Sequence, residues 1–466
     1  MEKKKFDLVV IGAGPGGYVA AIKAAQEGRS VALVEKSYLG GTCLNVGCIP
    51  TKTLLANAEV LHKVKMAEEY GITTGHVTVD FLKMKMRKDD VVQKMRSSLG
   101  GLVKSNKIEI FNGKGTFLNP REIKVVGQDN AILEAESAII ATGSEPLDIP
   151  AFPCDHTRIL NSTSVLELTQ LPKSLAIIGG GYIGCEFASL YAELGVKVTI
   201  LEALPSILSL QGRAVGNALS AAFKNKGIDL MTGVFVEGID HSEQGVKIKL
   251  KDQEPFEAEL ALVAVGRKVN SEGLGLEQAG VCVGQKGEIL VDEKLQTNVP
   301  GIYAIGDVTG QFLLAHVASH QGIVAASNII GKEMQMHYNA VPAVIFTHPE
   351  IATVGMTLEE AKEAGLPAQI GKFPFQALGK AVATIDTEGF AEVIVNKETG
   401  QILGAQVVGH GASTLIAEMA LAIHNELTVE CISDTIHAHP TMAEAWMEAA
   451  LIANDTPIHM PPRAKR

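Results

Sequence analysis

Two stretches of the chain repeat one order of apolar and polar positions: VVIGAGPGGYVAAIKAAQEGRSVALVE at 9–35 and AIIGGGYIGCEFASLYAELGVKVTILE at 176–202. Each opens on a short continuous apolar run, the signature of a strand buried on both faces. A glycine loop follows, then a segment rich in alanine and apolar residues with the length of a helix. A single glycine and a second apolar run ending in glutamate complete the unit. The pattern predicts strand, helix, strand, twice over. Gly12, Gly14, Gly17, Gly28 and Glu35 recur as Gly179, Gly181, Gly184, Gly195 and Glu202 at a constant offset of 167 positions.

GxGxxG between an apolar strand and a helix, with an acid 18 residues past the third glycine, is the full context of a dinucleotide-binding unit. The first glycine makes the tight turn, the second admits the pyrophosphate to the backbone, and the third lets helix and strand pack closely. Phosphate then sits on the free N–H groups and positive dipole end of the helix, and the glutamate accepts from a ribose diol. Two copies in register predict two dinucleotides. SAIIATGSEP (137–146) closes the first unit and LALVAVGRKVN (260–270) the second, while TNVPGIYAIGDV (297–308) reads as a buried strand delivering Gly306 and Asp307 to a loop.

From about residue 340 the texture changes. AEVIVNKETGQILGAQVVG (391–409) is a strand pair with polar turn residues at its centre, and helical periodicity follows at 413–427 and 443–454. No glycine fingerprint occurs there. The expected architecture is α/β: two Rossmann-like dinucleotide-binding domains plus a C-terminal α+β domain for packing or association.

The formal net charge of −11 over 466 residues argues against nucleic acid or an anionic membrane as main partner, and leaves room for a basic protein. The longest uncharged run, Gly310 to Gly331, contains His316, His320, Gln311, Gln321 and Asn328, so no membrane span is expected. The opening MEKKKFDLVVIGAG lacks the features of a leader, and a cytoplasmic location is expected. In a reducing compartment, the two cysteines of GGTCLNVGCIPTK (40–52) suggest redox or metal chemistry more than a structural staple. On a regular helix residues five apart lie about 7.5 Å along the axis and about 140° around it. Cys43 and Cys48 therefore bridge only if the chain is distorted between them, where Asn45 and Gly47 tolerate unusual dihedrals. Unconnected buried cysteines remain an alternative; zinc is weaker, for want of a second ligand pair nearby. Lys52 is one helical turn past Cys48, where it either steadies a thiolate or faces solvent.

With GGTCLNVGCIPTK, GGGYIGCEFA (179–188), YAIGDV (303–308) and HAHPTMAEA (437–445) in this order, the chain resembles the pyridine nucleotide-disulfide oxidoreductases over essentially its whole length. Within them it is most similar to the branch that oxidises dihydrolipoyl groups. The resemblance implies FAD on the first fingerprint (Gly12, Gly14, Gly17, Glu35), with Lys52, Gly143, Asp307 and Ala315 near it. It implies NAD on the second (Gly179, Gly181, Gly184, Glu202), with Glu186 beside the nicotinamide and paired to Lys52, and Gly266 nearby. Cys43 and Cys48 would form a redox disulfide, Cys48 facing the flavin and Cys43 exchanging with substrate. The implied domains are 1–145 (FAD), 146–267 (NAD), 268–339 (completing the FAD site) and 340–466 (dimerisation). The implied partners are a second copy of the chain and a lipoyl-bearing acyltransferase or glycine-cleavage lipoyl protein.

In HAHPTMAE, extended geometry before Pro440 points His437 and His439 to the same side. The resemblance makes His439 the base, given to the partner's cysteine site, with Glu444 orienting it. Thr441 and Glu444 also have the spacing of a capping box opening the last helix, which competes for the same carboxylate. Glu202 is followed by ALPSILSLQG with no arginine before Arg213, so a 2′-phosphate would meet a carboxylate; NAD is expected in preference to its phosphorylated form. Glu202 also disfavours glutathione-type reductases, and the lack of a C-terminal cysteine pair disfavours mercuric reductases. Thr51, Val269 and Gln211-Gly212 depart from the commoner family pattern in ways expected to touch nucleotide affinity and not the redox relay.

Overall fold

The computed structural model describes residues 2–461. The first unit runs β1 (Glu2–Ile11), α1 (Pro15–Gln26), β2 (Val31–Glu35), α2 (Gly41–Val46), α3 (Cys48–Lys65), α4 (Phe81–Ser105), β3 (Glu109–Asn119), β4 (Glu122–Gly127) and β5 (Ala131–Ile140). β1 pairs in parallel with β2 on one side and β5 on the other, and β2 pairs in parallel with β3. The apolar run that predicts β1 is buried for a physical reason: Leu8, Val9 and Val10 lie in a strand flanked by β2 and β5, in a sheet covered on both faces. The second half of β3 and the first half of β5 hold β4 between them in an antiparallel ribbon.

The second unit repeats the plan. It comprises β6 (Ser144–Pro146), β7 (Ile159–Asn161), β8 (Ser174–Ile178), α5 (Tyr182–Glu193), β9 (Lys197–Glu202), α6 (Arg213–Asn225) and β10 (Asp229–Thr232). A three-stranded ribbon, β11 (Val236–Ser242), β12 (Gly245–Leu250) and β13 (Phe256–Ala258), precedes β14 (Leu260–Val263) and β15 (Arg267–Val269). Its parallel sheet has the order β10-β9-β8-β14-β7. β15 then pairs antiparallel with β6, so that Val269 lies opposite Ser144. After this crossing the chain returns to the first sheet, where β16 (Ile302–Ala304) adds beside β5. The strand expected at 297–308 is thus an outer strand of the first sheet, and it carries Gly306 and Asp307 to that sheet's carboxyl edge. Ligands of open α/β sheets bind at this edge.

The last unit is a five-stranded antiparallel sheet, order β17 (Ala343–Ile345), β18 (Ile351–Gly355), β21 (Ile402–Val408), β20 (Phe390–Asn396), β19 (Ala368–Pro374). The expected strand pair is β20 and β21, and the two expected helices are Ala412–His424 and Glu444–Ala453. These helices cover the face carrying Ala352, Val407, Ala391 and Phe373, and their core centres on Trp446. Trp446 is fully buried and its indole N–H donates to the Leu415 carbonyl at 3.0 Å, tying the two helices together. Among the described residues no helix is long and apolar enough to cross a membrane.

Trp446→Ala removes the largest side chain of this core, and the expected cost is about 3–5 kcal/mol in the stability of the unit. Denaturant unfolding followed by circular dichroism checks this, since the chain has 1 tryptophan and the variant has none.

Candidate active site

The chain is distorted between the cysteines as their spacing demands. α2, which carries Cys43, stops at Val46; Gly47 takes φ −143° and ψ −109°; and α3 starts afresh at Cys48. The break turns Cys48 back towards Cys43, and the two thiol groups hydrogen-bond to each other. Both residues are free thiols, the reduced form of the expected redox pair. The shared hydrogen bond divides them electrostatically. Donation to Cys48 and burial push the Cys43 thiol far above its ordinary range. Accepting from Cys43 lowers Cys48 to about 7, with help from the Lys52 charge and against the cost of burial.

Lys52, on the first turns of α3, is half-buried and paired, not free in solvent. Its ammonium donates to both oxygens of Glu186 at 2.9 and 2.8 Å and lies 4.4 Å from the centre of the Phe346 ring. Glu186 belongs to α5 and is buried; its Oε1 also accepts the Phe346 N–H at 3.0 Å. The Lys52–Glu186 pairing implied by the family resemblance is therefore present. Phe346, just past β17, is a third member with no signal in the sequence pattern.

These groups face a cavity of about 1040 Å³, which is lined by Gly12, Gly14, Glu35, Cys43, Cys48, Lys52, Gly143, Glu186, Asp307 and Ala315 together with backbone of the first fingerprint loop. The loop has the division of labour expected of it. Gly12 has φ +102°, and a Cβ there would lie 2.3 Å from the Ala141 carbonyl oxygen; one on Gly17 would lie 1.9 Å from the Gly12 carbonyl oxygen. A Cβ on Gly14 would meet nothing within 4 Å, so this residue borders open space. No side chain caps α1, leaving its N-terminal N–H groups for an anion. Glu35 accepts from the Ala13 and Ser37 N–H groups, one per oxygen. A cradle of this shape, with room for a flat ring system against Cys48, fits FAD.

The second fingerprint matches the first atom for atom. A Cβ on Gly179 or Gly184 would strike the Ala264 or Gly179 carbonyl oxygen, Gly181 borders open space, and α5 is likewise uncapped by any side chain. Glu202 accepts from Gly180 and Leu204 N–H groups, in the positions equivalent to Ala13 and Ser37. Gly179, Gly181, Gly184, Glu202 and Gly266 do not line the large cavity, which they flank; Tyr182, Ile183 and Glu186 of α5 reach into it. This open cradle fits NAD.

Asp307 is held by the Ser144 hydroxyl, and Arg267 donates to the Ser144 hydroxyl and carbonyl at 2.7 and 2.8 Å. Arg267 comes from β15, so the carboxylate is positioned by a strand of the second unit. Ala315 is the first residue of the helix Ala315–Ile329, which also lacks a side-chain cap.

His439 and Glu444 lie outside the large cavity. Extended geometry fails to align the two histidines: His437 turns inward, with Nε2 against Glu418 at 2.9 Å and Nδ1 against the Thr435 carbonyl oxygen, and its side chain is 5% exposed. His439 turns outward and its side chain is 75% exposed. A buried imidazole is retained because both its nitrogens find partners. The competition for Glu444 resolves into a division: Oε1 meets His439 Nδ1 at 2.8 Å and Oε2 accepts the Thr441 N–H at 2.8 Å. The expected capping box is only half made. The Thr441 hydroxyl donates to the Ala438 carbonyl, and the helix begins at Glu444 itself. Desolvation pushes the Glu444 carboxyl up, but the Thr441 N–H and the His439 pair outweigh it and hold the carboxyl below its ordinary range.

The fold and this site define a class. Residues 6–322 match the pyridine nucleotide-disulphide oxidoreductases and residues 341–450 match the dimerisation domain of the same proteins, so the chain belongs to this family of enzymes. FAD and NAD are its cofactors, and the dimerisation domain makes it a homodimer. It is 52% identical over 461 residues to a dihydrolipoyl dehydrogenase of Chlamydia pneumoniae, covering 99% of this chain and 100% of the relative. It is 45% identical to one of Geobacillus stearothermophilus, over 97% of each chain. Among solved structures, LpdA of Mycobacterium tuberculosis superposes with a TM-score of 0.90 at 28% identity, covering 97% of this chain and 99% of that one. The flavoprotein disulfide reductase RclA of Escherichia coli superposes with a TM-score of 0.85 at 31% identity, covering 95% and 99%.

In the reduced protein, ultraviolet thiolate absorbance is expected to show one cysteine titrating near neutrality, Cys48 at about 7. Lys52→Met is expected to move that titration upward, because the charge favouring the thiolate is gone. An unchanged midpoint in the variant would show that Lys52 does not act on Cys48.

Proposed function

We propose that the chain oxidises protein-bound dihydrolipoyl groups to the lipoyl disulfide and reduces NAD to NADH, working through Cys43, Cys48, His439 and Glu444. The observation that carries this reading is the paired thiols of Cys43 and Cys48 at the wall of the FAD cradle, with Lys52 and Glu186 behind them. The identity to dihydrolipoyl dehydrogenases over the full chain supports the substrate class.

The working cycle begins with Cys43 and Cys48 oxidised. His439, held by Glu444 through Nδ1, takes a proton on Nε2 from one substrate thiol, since the thiolate is the nucleophile of disulfide exchange. The thiolate attacks Cys43 Sγ, the Cys43–Cys48 bond breaks, and Cys48 leaves as a thiolate that Lys52 stabilises. The second substrate thiol attacks its own neighbour's sulfur in the mixed disulfide, releasing oxidised lipoyl and Cys43, which takes up a proton. Two electrons have then passed from substrate to the cysteine pair. FAD, when bound on Gly12, Gly14, Gly17 and Glu35 beside Lys52, Gly143, Asp307 and Ala315, supplies the transfer of that pair to NAD as hydride. Gly179, Gly181, Gly184, Glu202 and Gly266 hold NAD in this reading, with Glu186 at its nicotinamide end. Glu202 selects against a 2′-phosphate by charge.

His439 is exposed and does not line the cavity of its own chain, which supports its service to the partner's cysteines. The lipoyl group would arrive on an acyltransferase or glycine-cleavage lipoyl protein. A cytoplasmic location belongs to the same proposal.

His439→Gln is expected to lower kcat by about 10²–10⁴-fold, the range of a lost acid–base group. A mixed dimer of one Cys48→Ser chain and one His439→Gln chain separates the two arrangements. If His439 serves the partner, one of its two sites is intact and activity returns; if it serves its own chain, both sites are dead and the mixed dimer is inactive.

A further inference from the structure

The helices that carry the two cysteines are held very unequally. α3 is 18 residues long with six of them buried, and Lys52 ties it to α5. α2 has 6 residues, no side-chain cap at its N-terminus and one buried side chain, Leu44, which joins the core that holds Val92 and Leu99 of α4. A helix this short has too few internal hydrogen bonds to persist by itself. Because the backbone breaks at Gly47, the direction of α3 does not fix the direction of α2. Something else must keep Cys43 in place.

Asn45 lies between the cysteines, and its backbone is helical, so the break at Gly47 does not account for it. Its side chain is fully engaged. Nδ2 donates to the carbonyl oxygens of Leu39 at 3.0 Å and Gly41 at 2.7 Å, and Oδ1 accepts from Arg96 Nε at 2.8 Å. Arg96 belongs to α4, 51 positions further along the chain, and its guanidinium lies 4.1 Å from the centre of the Tyr38 ring. A guanidinium only donates, so it meets the amide oxygen and leaves both amide N–H groups for the carbonyls at the start of α2. Tyr38 and Asn45 line the large cavity, whereas Arg96 does not. Arg96 therefore grips α2 from behind the cavity wall, with the Tyr38 ring supporting its flat face.

We infer that Arg96 is a positioning residue for the redox pair: acting through Asn45, it holds α2 so that Cys43 stays against Cys48 when the bond between them is open. The inference rests on the reading of Cys43 and Cys48 as the working pair, and it deepens that reading by naming what holds the pair together. The reduced thiols are already in hydrogen-bond contact, so closing the bond needs no search for the second sulfur. Releasing α2 lets Cys43 move away and favours the dithiol over the disulfide. A lysine at this position keeps the charge but has neither the Nε donor nor the flat face.

The test equilibrates the holoenzyme anaerobically with graded ratios of reduced and oxidised dithiothreitol. Closing the bond passes two electrons and two protons from Cys43 and Cys48 to the reagent's disulfide; acid quenching, alkylation and mass spectrometry read the open fraction. Arg96→Met is expected to shift the equilibrium about tenfold towards the dithiol, the size of one lost hydrogen bond to a charged group. Arg96→Lys is expected to shift it as far. In an Asn45→Ala background Arg96→Met is expected to add less than about twofold, since the two residues act as one unit. The melting temperature of the reduced variants is expected to match the parent's, because Arg96 is half-buried and outside the apolar core. The inference is overturned by a parent-like equilibrium in Arg96→Met, by a shift towards the disulfide, by recovery in Arg96→Lys, or by full additivity with Asn45→Ala. A lowered melting temperature with an unmoved equilibrium would make Arg96 a structural residue only and overturn it too. A parent protein whose pair stays open at every ratio would overturn the redox reading itself, and this inference with it.

Discussion

The ion pair of Lys52 and Glu186 is the contact on which the rest of the site depends. A buried carboxylate needs a cation, and here the cation comes from the helix that begins at Cys48. The carboxylate comes from the helix behind the second fingerprint, and the Phe346 N–H and ring complete the arrangement from the edge of the last sheet. All three units therefore meet at Lys52, on the helix that begins at Cys48. Breaking the pair would leave Glu186 buried and uncompensated, and would remove the charge that favours a Cys48 thiolate. Packing between units and the acidity of one thiol are thus set by the same interaction.

Around that contact the chain uses one device twice. Both fingerprints clear a path for phosphate by bringing backbone against backbone at the first and third glycines, and both leave the second glycine bordering open space. Both also use the terminal glutamate to brace the glycine loop through paired N–H groups. A glutamate already oriented by the backbone loses little freedom on meeting a diol, so the cradle is largely preorganised.

Much of this was legible in the sequence because it is local and periodic. Apolar runs gave the strands, the glycine spacing gave the two cradles, and the five-residue separation of Cys43 and Cys48 required a helix break, which falls at Gly47. What the pattern could not convey depends on contacts between distant segments. Extended alternation placed His437 and His439 together, but Glu418 and the Thr435 carbonyl draw His437 inward, and neither lies within the local motif. The contest over Glu444 looked exclusive because a carboxylate was treated as one acceptor; with two oxygens it serves His439 and Thr441 at once. The roles of Phe346 and Arg267 arise at sheet edges that meet residues more than a hundred positions away in the chain.

The central claim is that substrate electrons enter through Cys43 and Cys48 as a pair. The most direct test is differential alkylation of the oxidised holoenzyme under anaerobic conditions, before and after one equivalent of dihydrolipoamide, with each cysteine quantified by mass spectrometry. With labelling carried out after denaturation, the account predicts that Cys43 and Cys48 are both protected beforehand and both labelled afterwards, while Cys282 and Cys431, free throughout, do not change. Equal labelling of Cys43 and Cys48 before and after substrate would contradict it.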